Sequence, residues 1–404
     1  MIPFSPPRID DKICEAVVDA LKSGWITTGP RTKEFENKLT EYCGNKKTLC
    51  LNSATAGLEL MLRWFGVKEG DEVIIPAYTY SATANVVIHC GAKPVFVDVN
   101  FDDFNLDVSL LSDYITDKTK VIIPVDFGGM PCHYKVINEL VEVYKDKFVP
   151  ANEVQKKLGR IMVLSDAAHS LGASLRGNKA GSLTDVSVFS FHAVKNLTTA
   201  EGGAIALNFD ENLFDNNEIY NELCIKSLHG QNKDALAKTQ KGSWRYDVTE
   251  AGYKCNMTDI SASIGLVELA RYENDTLVKR KHIANLYHTL LKDVPKIELP
   301  IFQDSIRESS YHLYPLRIRG ISEQQRDAII QEIFDRDVSV NVHFLPVPAM
   351  SFYANLGYKV TDYKTAYDNY CREISLPLYY NLTDEQVQTV ARAVIESIQK
   401  VLNS

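Results

Sequence analysis

The strongest constraint on this chain is a series of short apolar runs, rich in β-branched residues, that recurs from about residue 48 to 207. They include "EVIIP" (72–76), "KPVFVDV" (93–99), "KVIIPVDF" (120–127), "RIMVLSD" (160–166), "DVSVFSF" (185–191) and "GAIAL" (203–207). Runs that stay apolar without alternation read as strands buried on both faces. Helical patterns lie between several of them. Thr55 to Phe65 puts Leu58, Met61, Leu62 and Phe65 on one face, and Pro131 to Tyr144 reads as another helix. Alternation of this kind predicts a largely parallel sheet covered by helices on both faces.

The tail has a different texture. Thr383 followed three residues later by Gln386 is a capping-box pattern, opening a helix with Val387, Val390, Val394, Ile398 and Leu402 inward. Before it, "SSYHLYPLRI" (309–318) and "VSVNVHF" (338–344) read as strands around a helix near 322–335. A chain of 404 residues exceeds the size at which one core stops growing. Two domains are therefore expected, a large one at 15–260 and a small α+β one at 275–404. The polar stretch "KDKFVPANEVQKKLGR" (145–160) reads as a surface insertion.

Several function classes lose support at this point. The charge balance, 44 basic against 52 acidic residues, disfavours nucleic acid or an anionic membrane as the main partner. The eight cysteines are scattered with no CxxC pair, so neither a metal site nor a disulfide framework is expected. The start, "MIPFSPPRIDD", lacks a basic segment followed by an apolar run, and no apolar stretch reaches membrane-span length. A cytoplasmic protein is expected. No GxGxxG follows a strand and no Walker A sequence is present, which leaves a nicotinamide oxidoreductase or an NTPase without an anchor.

What remains is a set of small polar loops at strand ends. "NSATAG" (52–57) leads into the Thr55 helix, where backbone N–H groups and hydroxyls could cup a phosphate. Equally, Ser53 and Thr55 suit simple helix capping. "VLSDAAHSLGA" (163–173) puts Asp166 at the C-terminal end of a buried strand, the edge where open α/β sheets bind ligands. A carboxylate there is costly unless paired, and a protonated pyridine nitrogen would pair it. An N-cap role is the plain alternative. "SFHAVKNLTTAEGG" (190–203) carries Lys195 in a segment poor in other charges, which suits a lysine of lowered pKa. Alone, such a lysine is ordinarily just solvated.

"NSATAGLEL", "GDEVIIPAYTYSATAN", "SDAAHSLGA", "SFHAVKNLTTAEGG", "GYKCNMTDISASIGL" and "EISLPLYYNLTDEQV" occur in that order. Together they resemble the DegT/DnrJ/EryC1/StrS family of sugar-nucleotide aminotransferases, from "SGWITTGP" (23–30) to the last helix. The resemblance implies a pyridoxal 5'-phosphate (PLP) enzyme of fold type I, aspartate aminotransferase-like. It implies Lys195 as the lysine that carries the cofactor as a Schiff base and Asp166 as partner of the pyridinium nitrogen. His169 matches a position beside the cofactor ring, and Tyr80 the aromatic that stacks on it. Ala54, Thr55 and Ser190 match the phosphate cup. "GYKCN" matches a loop that reaches the neighbouring subunit's phosphate, with Lys254 the contact by charge, so a homodimer with shared sites is expected. His312 and His343 match segments on the substrate side, though each also suits a structural role. Arg245, in "GSWRYD", would meet the donor's carboxylate, against a default of surface exposure.

Three departures from the family's pattern stand out: Ser165 before Asp166 where Glu is common, Lys254 and Asn256 where Asn and Arg are frequent, and the length of 145–160. The second resembles a subgroup acting on the 4-keto group of UDP-linked sugars. The expected reaction is amination of a keto-sugar nucleotide such as UDP-4-keto-6-deoxy-GlcNAc, with L-glutamate as donor, in cell-surface polysaccharide or glycan biosynthesis. The alternatives are a PLP sugar dehydratase, whose relatives place His where Lys195 stands, and a non-catalytic PLP-sensing regulator, for which no DNA-binding module is visible.

Overall fold

The computed structural model describes residues 1–232 and 245–403. Its largest element is a seven-stranded sheet. The strands are β1 (Lys47–Leu51), β2 (Glu72–Pro76), β3 (Lys93–Val97), β4 (Thr119–Ile122), β5 (Met162–Asp166), β6 (Val186–Ser190) and β7 (Gly203–Leu207). They lie in the order β1-β7-β6-β5-β4-β2-β3. β7 runs antiparallel to both its neighbours, and the other pairings are parallel. The six apolar runs are six of these strands. The seventh, β1, is the short run "KTLCL", which opens on a lysine and is buried over its last four residues.

The interior positions of β4 and β5 are buried throughout, as expected for strands covered on both faces. Helix Ala54–Trp64 follows the predicted face, with Leu58, Met61 and Leu62 buried. The second predicted helix is shorter than its pattern, Tyr134–Val143. Ahead of it the chain is pinned to the Asp126 carboxylate, which accepts from Cys132 N–H at 2.9 Å.

Further along, β8 (Ile297–Glu298), β9 (Tyr314–Ile318) and β10 (Glu373–Leu376) form an antiparallel sheet in that order. Helices Leu277–Leu291, Glu323–Phe334 and Asp384–Leu402 share one cluster of buried apolar residues with it. The last helix has the reciprocal Thr383–Gln386 capping box, and the helix near 322–335 has one between Ser322 and Gln325. Two expectations fail here. "SSYHLYPLRI" is a strand only over its last five residues, and "VSVNVHF" is not a strand. Its residues make isolated bridges, Val338 with Ile2 and Asn341 with Ser375. The alternating pattern was real, but its burial comes from packing beside β10 and the N-terminus rather than from a ladder.

The two sheets' clusters do not divide along the chain. Val347, Tyr353, Tyr363 and Ala366 pack into the large sheet's core, while Ile2 packs with the second cluster. Among the described residues no helix is long and apolar enough to cross a membrane.

The 145–160 stretch is anchored rather than loose. Asn152 caps helix Glu153–Leu158, and the Asn152 and Gln155 amides both donate to the Phe65 carbonyl, at 3.1 and 2.9 Å. Gln155 is fully buried and its Oε1 also accepts from Ala151 N–H. Gln155→Ala removes both bonds of a fully buried side chain and leaves a space where it stood, so it should lower unfolding free energy by about 1–3 kcal/mol. Denaturant titration should show that loss while the visible cofactor spectrum of the folded protein stays unchanged.

Candidate active site

The parallel strands end on one edge of the sheet, and that edge is where the polar loops converge. Asp166 closes β5, Ser190 closes β6, and Ser53 follows β1 by two residues. A cavity of about 380 Å³ opens there. It is lined by Ser53, Ala54, Thr55, Tyr80, Asp166, His169, Ser190, Lys195, His312 and His343, among others. The structure thus brings ten residues, nine of them predicted for the site and the tenth the capping Ser53, to one place.

One wall is a helix N-terminus. Ser53 caps helix Ala54–Trp64, its Oγ accepting from Ala56 N–H at 3.1 Å. Capping and anion binding are therefore compatible: Ser53 takes the Ala56 donor, and the first-turn N–H groups of Ala54 and Thr55 remain aimed along the helix axis. Close approach to the sheet depends on glycine. A Cβ at Gly203 would stand 2.3 Å from Ala54 N, and Gly203 is paired with both Leu51 and Ser190.

The floor is Asp166, which is 6 % exposed. Thr83 Oγ1 donates to its Oδ2 at 2.7 Å and Ala168 N–H to its Oδ1 at 3.2 Å. Burial raises its pKa, with these bonds and the charge of Lys195 pulling the other way. Among the described residues no lysine, arginine or histidine nitrogen forms an ion pair with it. A buried carboxylate left in that state has room for a cationic partner from a ligand. Lys195 is the opposite case. Burial brings its ammonium down to about 8, against the pull of Asp166, so near neutrality a usable share of neutral amine is available.

The far wall is aromatic. His169 and His312 rings lie 4.3 Å apart, and Phe344 stacks on His169 at 6.2 Å. Gly128 N–H donates to His169 Nδ1, which places that ring's proton on Nε2. His312 Nδ1 meets Asn196 Oδ1 at 2.9 Å. Burial and the Lys195 charge hold both rings, and His343, below the usual imidazole range. Tyr80 is 61 % exposed at the rim, 5.8 Å from Phe344.

Arg245 and Lys254 are exposed and do not line this chain's cavity. Lys254 Nζ instead donates to Asn256 Oδ1 of its own loop. The rest of "GSWRYD" before Arg245 lies outside the described residues. Ser165, the residue in place of the family's Glu, is buried with its Oγ 2.5 Å from Tyr134 Oη. Tyr134 in turn donates to Asp126, which Ser170 also serves. No group of three or more His, Cys, Asp and Glu residues among the described ones is placed to hold a metal ion.

Sequence reasoning missed Thr83, Asn196, Phe344 and the N-terminal Phe4 and Ser5. Thr83 sits one helical turn after Tyr80 in a stretch already singled out, and Asn196 directly follows Lys195, so both were within reach. Phe4 gave no local signal: it reaches the cavity from the far end of the chain, stacking on His343 at 5.6 Å.

The model of the DegT/DnrJ/EryC1/StrS aminotransferase family matches residues 7–395. Spr1654 of Streptococcus pneumoniae, described as a sugar aminotransferase and solved in its PMP form, is 47 % identical. It superimposes with a TM-score of 0.96 over 99 % of this chain and 100 % of that one. The spore coat polysaccharide biosynthesis protein SpsC of Bacillus subtilis (strain 168) is 34 % identical over 98 % of this chain and 97 % of its own length. The UDP-4-amino-4-deoxy-L-arabinose–oxoglutarate aminotransferase of Shewanella sediminis is also 34 % identical, covering 98 % of each chain.

The Gly203 contact yields a test independent of chemistry. Gly203→Ala must push the Ala54 end of the helix away from β7, a strain of about 1–3 kcal/mol. The expected result is weaker cofactor retention on dialysis, read as loss of visible absorption, with the far-UV spectrum preserved.

Proposed function

The chain belongs to the DegT/DnrJ/EryC1/StrS aminotransferase family, and on that premise we propose that it aminates the 4-keto group of a UDP-linked sugar with L-glutamate as donor. At the coarser level it is a sugar aminotransferase of sugar and polysaccharide biosynthesis that uses pyridoxal phosphate. The observation that carries the reading is Asp166 and Lys195 facing one cavity whose third wall is the Ala54 helix N-terminus.

The residues present fit the cofactor. Asp166 would hold the ring nitrogen, since it is a buried carboxylate without a cationic partner among the described residues. Ala54 and Thr55 N–H groups, with the Thr55 and Ser190 hydroxyls, would hold the phosphate. His169 would flank the ring, with Tyr80 closing the rim. Bound pyridoxal phosphate supplies an electron sink through which an amine can pass between two carbonyl carbons. Asp166, kept ionised by the ring's positive charge, stabilises that sink. Lys195 moves the proton: as neutral amine it takes one from the donor's α-carbon, and as ammonium it returns one to the sugar carbon that gains nitrogen. His312 and His343, both neutral, line the side open to substrate.

Support for a UDP 4-keto sugar comes from two directions. Lys254 and Asn256 follow the pattern of a subgroup with that substrate. The Shewanella sediminis relative pairs a UDP-linked 4-amino sugar with oxoglutarate in its name, and the reverse of that reaction is donation from glutamate to a UDP-4-keto sugar. With glutamate, 4-keto UDP-sugars should turn over at least tenfold faster than 3-keto ones in kcat/KM. Equal rates would remove the 4-keto assignment. Lys195→Ala should abolish turnover and the visible band, and a Lys195→Ala protein transaminating at the wild-type rate would remove Lys195 from the mechanism.

A dimer with shared sites belongs to the same reading. Among the described residues Lys195 is the one lysine or arginine lining the cavity, so a phosphate dianion there meets dipoles and hydroxyls but, among those residues, no dedicated cation. Lys254, exposed in its own chain, would supply that cation to the neighbour's site. Lys254→Glu should weaken cofactor retention. Mixing it with Lys195→Ala under conditions of subunit exchange should recover up to about a quarter of wild-type activity, because a mixed dimer contains one intact site. No recovery despite proven exchange would place Lys254 outside the partner's site.

A further inference from the structure

Behind His343 lies a line of polar groups that the mechanism above does not use. Glu373 and Ser375 are both fully buried on β10. Ser375 Oγ donates to Glu373 Oε1 and stands 2.8 Å from His343 Nδ1. Glu373 Oε2 accepts from the His343 backbone N–H at 2.9 Å, which fixes the carboxyl relative to the ring it serves. Tyr78 Oη donates to the His343 carbonyl, and Phe4 stacks on the ring's face. Nδ1 is therefore committed inward. Nε2 has no hydrogen-bond partner among the described residues, on a side chain that lines the cavity.

We propose that Glu373, Ser375 and His343 form a proton relay whose outer end, His343 Nε2, exchanges a proton with the bound sugar. The proposal rests on the reading that His343 faces the substrate. With Glu373 ionised, Ser375 donates to it, His343 Nδ1–H donates to Ser375, and Nε2 presents a lone pair. When Nε2 takes a proton from a sugar hydroxyl or a departing water, the Nδ1 proton passes to Ser375 Oγ and the Ser375 proton passes to Glu373. One bond to hydrogen forms and one breaks at both His343 and Ser375. The carboxylate becomes a carboxylic acid, and the imidazole stays neutral throughout. The reverse shift delivers a proton to the sugar oxygen.

The environment requires a relay of this kind if His343 is to act at all. Burial and the Lys195 charge press its own pKa down to about 3, so an imidazolium is not available near neutrality. Glu373 is the group that can hold the proton: burial lifts it to about 8, with Ser375, the His343 N–H, Arg326 and Arg317 pulling it back. The charged and titratable groups around the pair are thus Arg326 and Arg317 behind Glu373, Tyr78 beside it, and Lys195, His169 and His312 around the ring.

The test reads the tautomer directly, without substrate. In the holoenzyme labelled with ¹⁵N-histidine, with His343 assigned by its loss in His343→Gln, the ring proton should sit on Nε2 below about pH 8 and move to Nδ1 above it. Glu373→Gln, whose amide replaces the carboxylic O–H as donor to Ser375, should lock the Nε2–H form at every pH. Its kcat/KM should fall by roughly 10²-fold and lose the pH limb near 8. Ser375→Ala should uncouple the ring from Glu373. A wild-type His343 that keeps one tautomer across the range, or becomes an imidazolium, overturns the relay, and this holds even if the Glu373 and Ser375 variants fail to fold. Because no sugar is present, that failure is separable from a wrong substrate, which would appear only in the 4-keto against 3-keto comparison.

Discussion

Asp166 is a carboxylate taken out of water at the end of a central strand, and the cost of that placement organises the rest of the site. Thr83 and the Ala168 N–H return part of the lost hydration, but two neutral donors do not replace a cation. What the protein withholds is what a ligand with a basic ring nitrogen brings. The surroundings make the same point. The neighbouring Asp126 is satisfied fully by Ser170, Tyr134 and the Cys132 N–H, and burial holds its carboxyl near 6. Two buried acids side by side would compete for any cation. The Asp126 network removes one of them from the contest by surrounding it with donors.

That network also explains how the chain departs from the common pattern next to Asp166. Ser165 faces the other side of β5 from Asp166, as adjacent residues in a strand must, and its hydroxyl meets Tyr134. The position belongs to the Asp126 network rather than to the cavity. A change there alters how the strand is held from behind and leaves the floor of the site in place.

The legible parts of the sequence were those whose physics is local. Buried strands advertise themselves by unbroken apolar runs, and capping boxes by two residues three apart. Lys195 and Asp166 stood out because each sat at the end of such a run. The illegible parts depend on contacts between distant segments. "VSVNVHF" has the alternation of a strand, yet it found only two isolated bridges, because β10 pairs with β9 on one side and leaves the other to a single contact at Ser375. Phe4 reaches His343 from the opposite end of the chain. A boundary near 260–275 follows the change in texture, but Val347 and Tyr353 return to the large sheet's core and Ile2 joins the other cluster. No composition rule anticipates a segment that crosses back.

The charge pattern of the cavity then explains why its histidines are neutral. Three imidazoles, His169, His312 and His343, crowd one side within reach of Lys195, and each is held below its usual range by burial and by that lysine's charge. If any of them were cationic, Lys195 would be pushed further down and Asp166 would gain a competing partner. With those rings neutral, Lys195 and Asp166 are the buried cationic and anionic groups among the described residues that line the cavity, while Glu201 lies at its exposed rim beside His192. A cofactor that bonds to the first and pairs with the second removes both at once. Among the described residues, the lining offers no lysine or arginine other than Lys195 to the phosphate that the cofactor also carries, so among them the balance closes for the ring and stays open for the phosphate. That remaining charge is what the proposed dimer would answer, with the exposed Lys254 as the proposed cation.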